Sequence, residues 1–246
     1  MESEHFKIHE LKAGYGEAEI LHGIDLEVRK GEFVAVLGPN GAGKTTLINT
    51  ILGQTRIFSG TISLDGKRID GSHPDDLVKK GFAFFLQGRR VFPQLTVEEN
   101  LKMGGYPLDR QTMVTRIAEM KELFPFLKDR SATLAGNLSG GEQVILAFAR
   151  ARMTAPHLFF VDEPSLGVAP IITKSILNNL KDETRKGGSV LLAEQNVLRA
   201  LEVSDRVYIM SLGQIVFSGT TEQLRQTPNL SELYLGMNLQ RSEQRQ

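Results

Sequence analysis

Two stretches near the start of the chain, Lys7-Ile8-His9-Glu10-Leu11 and Ile24-Asp25-Leu26-Glu27-Val28, alternate apolar and polar residues. A period of two places alternate side chains on one face, so both predict strands covered on one side. Gly14, Gly16 and Gly23 punctuate them. The run Phe33-Val34-Ala35-Val36-Leu37 is apolar at every position, which predicts a strand buried on both faces of a parallel sheet. Leu158-Phe159-Phe160-Val161 and Ser189-Val190-Leu191-Leu192-Ala193 repeat that pattern, each after a stretch with helical spacing. Alternation of this kind predicts an α/β architecture.

From about Leu95 to Arg152 the pattern changes. Val97 to Leu101, Met113 to Phe124 and Gly141 to Met153 space apolar residues three and four apart, which predicts a helical insert in the α/β body. Arg206 to Met210 and Gln214 to Phe217 flank Leu212-Gly213 as a hairpin, and Thr221-Glu222-Gln223-Leu224 begins a short helix. The polar end, Arg241 to Gln246, is expected to fray. No internal repeat and no linker divides the chain. One domain is expected over 1–246, with a core of about 1–94 and 153–240, a helical subdomain of about 95–152 and a polar tail at 241–246.

Composition acts by exclusion. The 246 residues carry 29 Lys+Arg and 29 Asp+Glu, and this neutrality argues against a broad nucleic-acid-binding face. An apolar fraction of 41% with 24% charged residues suits a folded chain with a real core. No run approaches the roughly 18 consecutive apolar residues of a membrane span. The start Met1-Glu2-Ser3-Glu4 lacks the basic and apolar regions of a signal peptide, so a cytosolic location is expected. The absence of cysteine removes disulfides, thiolate nucleophiles and Cys-based metal sites, and the histidines show no His-Glu-x-x-His spacing. A hard cation such as Mg²⁺ is the metal left.

The candidate chemistry begins directly after the apolar run 33–37. Gly38-Pro39-Asn40-Gly41-Ala42-Gly43-Lys44-Thr45 is a complete G-x-x-x-x-G-K-[ST] phosphate loop, and the binding set runs on to Thr46. Small glycines let successive N–H groups turn onto phosphate oxygens, and the following helix adds the positive end of its dipole. Lys44 reaches the terminal phosphates, and Thr45 offers its hydroxyl to Mg²⁺. A glycine-rich turn without a ligand would use the same glycines; the strand in front favours nucleotide.

Leu158-Phe159-Phe160-Val161-Asp162-Glu163 then supplies two carboxylates at the carboxyl end of an apolar strand, where ligands sit in open α/β sheets. Asp162 is the candidate Mg²⁺ partner, and Glu163 is placed to orient or deprotonate an attacking water. A strand ending in solvated acids would look the same, so it is the upstream phosphate loop that gives these two their roles.

Leu138-Ser139-Gly140-Gly141-Glu142-Gln143 lies between the two, with Glu142 20 residues before Asp162. As local chemistry, Ser139, Gly140 and Gly141 open a helix and offer a hydroxyl and N–H groups to an anion, although a plain helix cap would look similar. In sequence and order this segment resembles the signature loop of the ATP-binding-cassette (ABC) family, and the resemblance spans nearly the whole chain. It implies a P-loop NTPase fold with a RecA-like α/β core, an N-terminal antiparallel β subdomain and a helical insert subdomain. It also implies hydrolysis of ATP with Mg²⁺ in a head-to-tail dimer, where Ser139, Gly140, Gly141 and Glu142 meet the γ-phosphate bound by the opposite subunit. On the same resemblance Tyr15 stacks on the adenine and Gln87 senses Mg²⁺ and the γ-phosphate.

Two positions depart from the family's commonest pattern. Glu194-Gln195-Asn196 puts Gln195 where most members carry a histidine that bonds the γ-phosphate; Gln donates a hydrogen bond but does not titrate. Ala169 stands where an aspartate usually crosses the dimer interface. Gly88-Arg89-Arg90-Val91-Phe92-Pro93, Thr96-Val97-Glu98-Glu99-Asn100-Leu101, Glu163-Pro164-Ser165-Leu166-Gly167 and Glu194-Gln195-Asn196 together resemble the ATPase subunits of high-affinity branched-chain amino acid importers. That likeness implies a peripheral protein at the cytoplasmic face of the cell membrane. Its partners would be membrane permease subunits, a second ABC ATPase chain of the same or a different kind and, through the permease, a periplasmic or extracellular solute-binding protein. Arg89-Arg90 would help to organise the groove for a permease helix, or be a solvated turn. Urea or amide uptake, lipid or polysaccharide export and a non-transport ATP switch are the alternatives.

Overall fold

The computed structural model describes residues 4–88 and 91–226. In chain order these form β1 (Glu4–Tyr15), β2 (Ala18–Arg29), β3 (Phe33–Leu37), α1 (Lys44–Ile51), β4 (Arg56–Leu64), β5 (Lys67–Arg68), α2 (Pro74–Lys79), β6 (Phe82–Phe85), α3 (Val97–Gly104), α4 (Arg110–Leu123), α5 (Phe126–Asp129), α6 (Gly140–Ala151), β7 (Leu158–Asp162), α7 (Pro170–Arg185), β8 (Ser189–Glu194), α8 (Val197–Val203), β9 (Arg206–Ser211), β10 (Gln214–Thr220) and α9 (Thr221–Gln226). Two units emerge, one of 4–73 with 189–226 and the other of 74–188. The expected features at Arg89-Arg90 and at Arg241 to Gln246 lie outside the described residues.

In the first unit an antiparallel sheet runs in the order β2-β1-β4-β5. Both leading strands extend well beyond their alternating stretches. β1 continues past Ile8 because its register with β2 and β4 shifts between Ile8 and Lys12, with Glu10 at φ +44°. Gly60 of β4 makes room for that irregularity, since a Cβ there would lie 2.5 Å from the Glu10 carbonyl oxygen. The all-apolar run Phe33–Leu37 becomes β3 with every residue buried. It is parallel to β8 on one side and to β9 on the other, and β10 pairs antiparallel with β9. The β9–β10 turn is the expected Leu212-Gly213 pair, with φ of +45° and +75°.

In the second unit β6 and β7 pair in parallel from Phe82↔Leu158 to Phe85↔Val161. Their phenyl rings form the centre of the core: Phe84 stacks on Phe160 at 5.1 Å, and Phe85 meets Phe148 of α6 edge-on at 5.7 Å. The helical insert is present, and side chains cap three of its helices. Thr96 caps α3, Asp109 caps α4, whose first residue Arg110 lies three residues ahead of Met113, and Ser139 caps α6.

Candidate functional site

The first unit holds the phosphate loop. Strand β3 delivers it in the direction of its carboxyl end, and α1 starts at Lys44. The turn needs glycine for geometric reasons. Gly41 and Gly43 sit at φ +80° and +105°, and a Cβ on Gly38 would lie 2.4 Å from the Met210 carbonyl oxygen. Gly213 of the β9–β10 turn ties the loop down, since its N–H donates to the Ala42 carbonyl at 2.9 Å and its carbonyl accepts from His22 at 2.8 Å. Helix α1 has no side-chain cap and no acid in its first turn. The positive end of its dipole is therefore not countered by an acid of its own first turn and suits an anion.

Lys44 is 3% exposed, and its ammonium donates to the carbonyls of Gly38 at 2.8 Å and Pro39 at 3.1 Å. An ammonium held over the loop by its own carbonyls stands where phosphate oxygens cradled by that loop would meet it. Thr45 is half-buried beside it and Thr46 is buried. Tyr15 ends β1 with 47% of its surface exposed, and Asn49 of α1 donates from Nδ2 to its hydroxyl at 3.0 Å. Gln195 follows β8, whose last residue, Glu194, pairs with Leu37 immediately before the loop. Gln195 is exposed, and its N–H donates to the Glu194 carboxylate at 2.7 Å.

The second unit brings three of the expected residues together. Gln87, Asp162 and Glu163 line one cavity of about 40 Å³ with Phe85, Val144 of α6 and Leu166. That space holds a water or two. Asp162 is 2% exposed at the end of β7, and Glu163 is 9% exposed with φ +46°. A non-glycine residue in the left-handed region costs on the order of 1 kcal/mol, and such strain gathers at functional positions. Within this unit Gln87 and Asp162 offer oxygen donors of the hard character that Mg²⁺ takes.

For the signature segment the sequence offered two readings, a loop that meets an anion and a helix cap, and the cap is present. The Ser139 N–H donates to the Glu142 carboxylate at 2.8 Å, while its Oγ accepts from the Glu142 N–H at 3.3 Å. This is a capping box. The Ser139 hydroxyl and N–H hold the Glu142 carboxyl below its ordinary range. The N–H groups of Gly140 and Gly141 open the helix behind them. Asn49 escaped the sequence reading because it belongs to no motif; Glu194 was read only as part of Glu194-Gln195-Asn196, and an acid ending an apolar run was the available signal for its burial, at 1% exposed.

A family model described as ABC transporter matches residues 21–166, more than half of the chain. The chain is 43% identical to the high-affinity branched-chain amino acid transport ATP-binding protein BraG of Pseudomonas aeruginosa, over 90% of this chain and 95% of that one. It is 37% identical to the probable branched-chain amino acid transport ATP-binding protein LivF of Archaeoglobus fulgidus, over 92% of this chain and 97% of that one. Among solved structures, the ADP conformation of MJ1267, an ATP-binding cassette of an ABC transporter, superposes with a TM-score of 0.83 at 28% identity, over 95% of this chain and 99% of that one. Phosphate loop, acid pair and signature segment thus stand in a chain that matches these proteins end to end: it belongs to the ABC transporter family and is an ATP-hydrolysing transporter subunit.

Proposed function

We propose that the chain powers uptake of branched-chain amino acids, with ATP and Mg²⁺ bound at the phosphate loop and the signature segment of a second ATPase chain closing over the nucleotide. The observation that carries the nucleotide site is the buried Lys44 ammonium, folded onto loop carbonyls at the bare N-terminus of α1. The solute class rests on the likeness to BraG and LivF. Among the described residues no helix is long and apolar enough to cross a membrane, so the reading assigns the solute path to permease partners. The chain would then work at the cytoplasmic face of the membrane, and a solute-binding protein would deliver the amino acid to the permease.

Each side chain has a proposed task. The loop N–H groups between Gly38 and Thr46, Pro39 having none, donate hydrogen bonds to the phosphates, the Lys44 ammonium offsets the charge of the β- and γ-phosphates, and the Tyr15 ring stacks on the base. Thr45, Gln87 and Asp162 are the oxygen donors for Mg²⁺, which offsets phosphate charge when bound. Glu163 takes the proton of the attacking water on its carboxylate. Gln195 donates an amide hydrogen bond to the γ-phosphate and carries no proton, which leaves Glu163 as the base. Ser139, Gly140, Gly141 and Glu142 form the end that meets the partner's γ-phosphate.

Two measurements test this. Glu163→Gln should lower ATP turnover by about 10²–10⁴-fold, with nucleotide affinity unchanged; turnover near that of the parent removes Glu163 as the base. Deleting the chain from its cells should abolish high-affinity uptake of leucine, isoleucine and valine. Intact uptake of those three with loss of urea or amide uptake would transfer the assignment to that solute class.

A further inference from the structure

At the base end of the proposed nucleotide site, a side chain of α1 reaches the hydroxyl of Tyr15. Tyr15 is the last residue of β1, and its backbone is fixed by the sheet: it pairs with Ala18 across a tight turn, with Gly16 at φ +59°. The preceding Gly14 pairs with Glu19 on one side and with Arg56 of β4 on the other. A Cβ at Gly14 would lie 1.9 Å from the Ala18 carbonyl oxygen, so the strands close tightly there. The ring nevertheless projects with 47% of its surface exposed, and the backbone alone does not set its rotamer. Its far end is held by Asn49, whose Nδ2 lies 3.0 Å from the Tyr15 hydroxyl.

Asn49 is on α1, five residues after Lys44, which is about 7.5 Å along a helix axis. Its backbone carbonyl accepts from Gln54 at 2.8 Å, so the residue is itself anchored at the end of that helix. One rigid element therefore carries the ammonium at its start and grips the tip of the exposed ring farther along.

We propose that Asn49 is a positioning residue for nucleotide affinity: its amide holds the Tyr15 ring, through the hydroxyl, in the orientation that receives a nucleobase. The inference rests on the reading of Tyr15 as the stacking residue. Stacking is tolerant of base identity, so Asn49 sets affinity and leaves the choice between adenine and guanine unchanged.

The test is calorimetric titration of the full chain with ATP and, separately, with GTP. Asn49→Ala should weaken both nucleotides by the same factor, about threefold to tenfold, the scale of one hydrogen bond. Tyr15→Phe, which keeps the ring and loses the hydroxyl, should weaken them as much. In the Tyr15→Phe background Asn49→Ala should change affinity by less than about 1.5-fold, because the two act through one contact. Additive losses in the double variant, a loss confined to ATP, or unchanged affinity in Asn49→Ala would each overturn the proposal. Tyr15→Ala separates the two levels. If it binds ATP as the parent does, the stacking assignment falls and the inference with it, whereas a loss there beside normal binding by Asn49→Ala overturns the inference alone.

Discussion

Helices α1 and α6 both carry proposed phosphate contacts at their N-termini, and they are built in opposite ways. α1 opens without a side-chain cap, on a glycine at φ +105°, and has no acid in its first turn. α6 opens on the reciprocal pair Ser139 and Glu142. The same box, Thr96 with Glu99, opens α3, for which no nucleotide contact is proposed. A bare end leaves its donors for a ligand and gives up the stability of a cap; a capped end binds those donors into the fold. Substitutions at α1 should therefore separate function from stability, whereas at α6 they should not.

The sharpest way to break this contrast is Lys44→Ala. Loss of the Lys44 hydrogen bonds to the Gly38 and Pro39 carbonyls should cost the folded state about 1 kcal/mol. ATP affinity should fall by about 100-fold, the scale of a lost charge-assisted contact in a buried site, and hydrolysis with it. Thermal unfolding beside nucleotide titration decides the matter. A large fall in melting temperature with affinity retained would make Lys44 a structural residue and end the distinction.

Gly43→Ala is the next step down. The new Cβ would sit 2.9 Å from the Met210 Cε and 3.2 Å from the Leu21 Cδ2, on a backbone at φ +105°. Met210 ends in a flexible methyl that can yield, but the left-handed backbone cannot, and the cost should be on the order of 1–3 kcal/mol. Urea unfolding measures it. A neutral result would mean that the loop relaxes out of its conformation without a ligand, and that α1 is less committed to phosphate than its geometry implies.

Much of this was legible beforehand, and the exceptions have physical reasons. The fully apolar Phe33–Leu37 was bounded correctly, because a strand buried on both faces has no polar positions to blur its ends. β4 escaped because Arg56–Leu64 has a single fully buried residue, Ile62, and so gives no clean alternation. The sequence put Glu163 in the site, yet its left-handed backbone was invisible, since glutamate has no preference for that region. At Ser139-Gly140-Gly141-Glu142 the pattern S-x-x-E was in plain view and spells a capping box. The cap was weighed there as the alternative to an anion site; that the two ends of the box satisfy each other is what the structure adds.

That double use yields a paired prediction. Ser139→Ala and Thr96→Ala should each cost about 1 kcal/mol of stability through loss of the cap. Of the two, Ser139→Ala alone should also slow ATP turnover in the assembled transporter. Equal effects on turnover would remove the proposed contact of α6 with the partner's nucleotide. Equal stability with turnover lost in Ser139→Ala alone would show that its box contributes nothing to the fold.

The smallest effect lies at the acid end of the pH scale and compares α3 with α1. Glu98, in the first turn of α3, meets Lys121 at 2.9 Å, Lys102 at 3.0 Å and Ser131 at 2.9 Å. Those contacts, the Lys121 bond first, lower its pKa to about 2 from the ordinary 4.5. Because the folded value lies below the unfolded one, the stabilisation is complete above about pH 4.5 and disappears as pH falls through about 2. Glu98 is 38% exposed, so screening by solvent and salt reduces its share to about 1 kcal/mol or less. Glu98→Gln should lower stability at pH 7 by that amount and flatten the acid limb of stability against pH. Helix α1, with no acid in its first turn, should contribute nothing to that limb. An acid limb unchanged in Glu98→Gln would show that the three partners do not hold the carboxylate in solution.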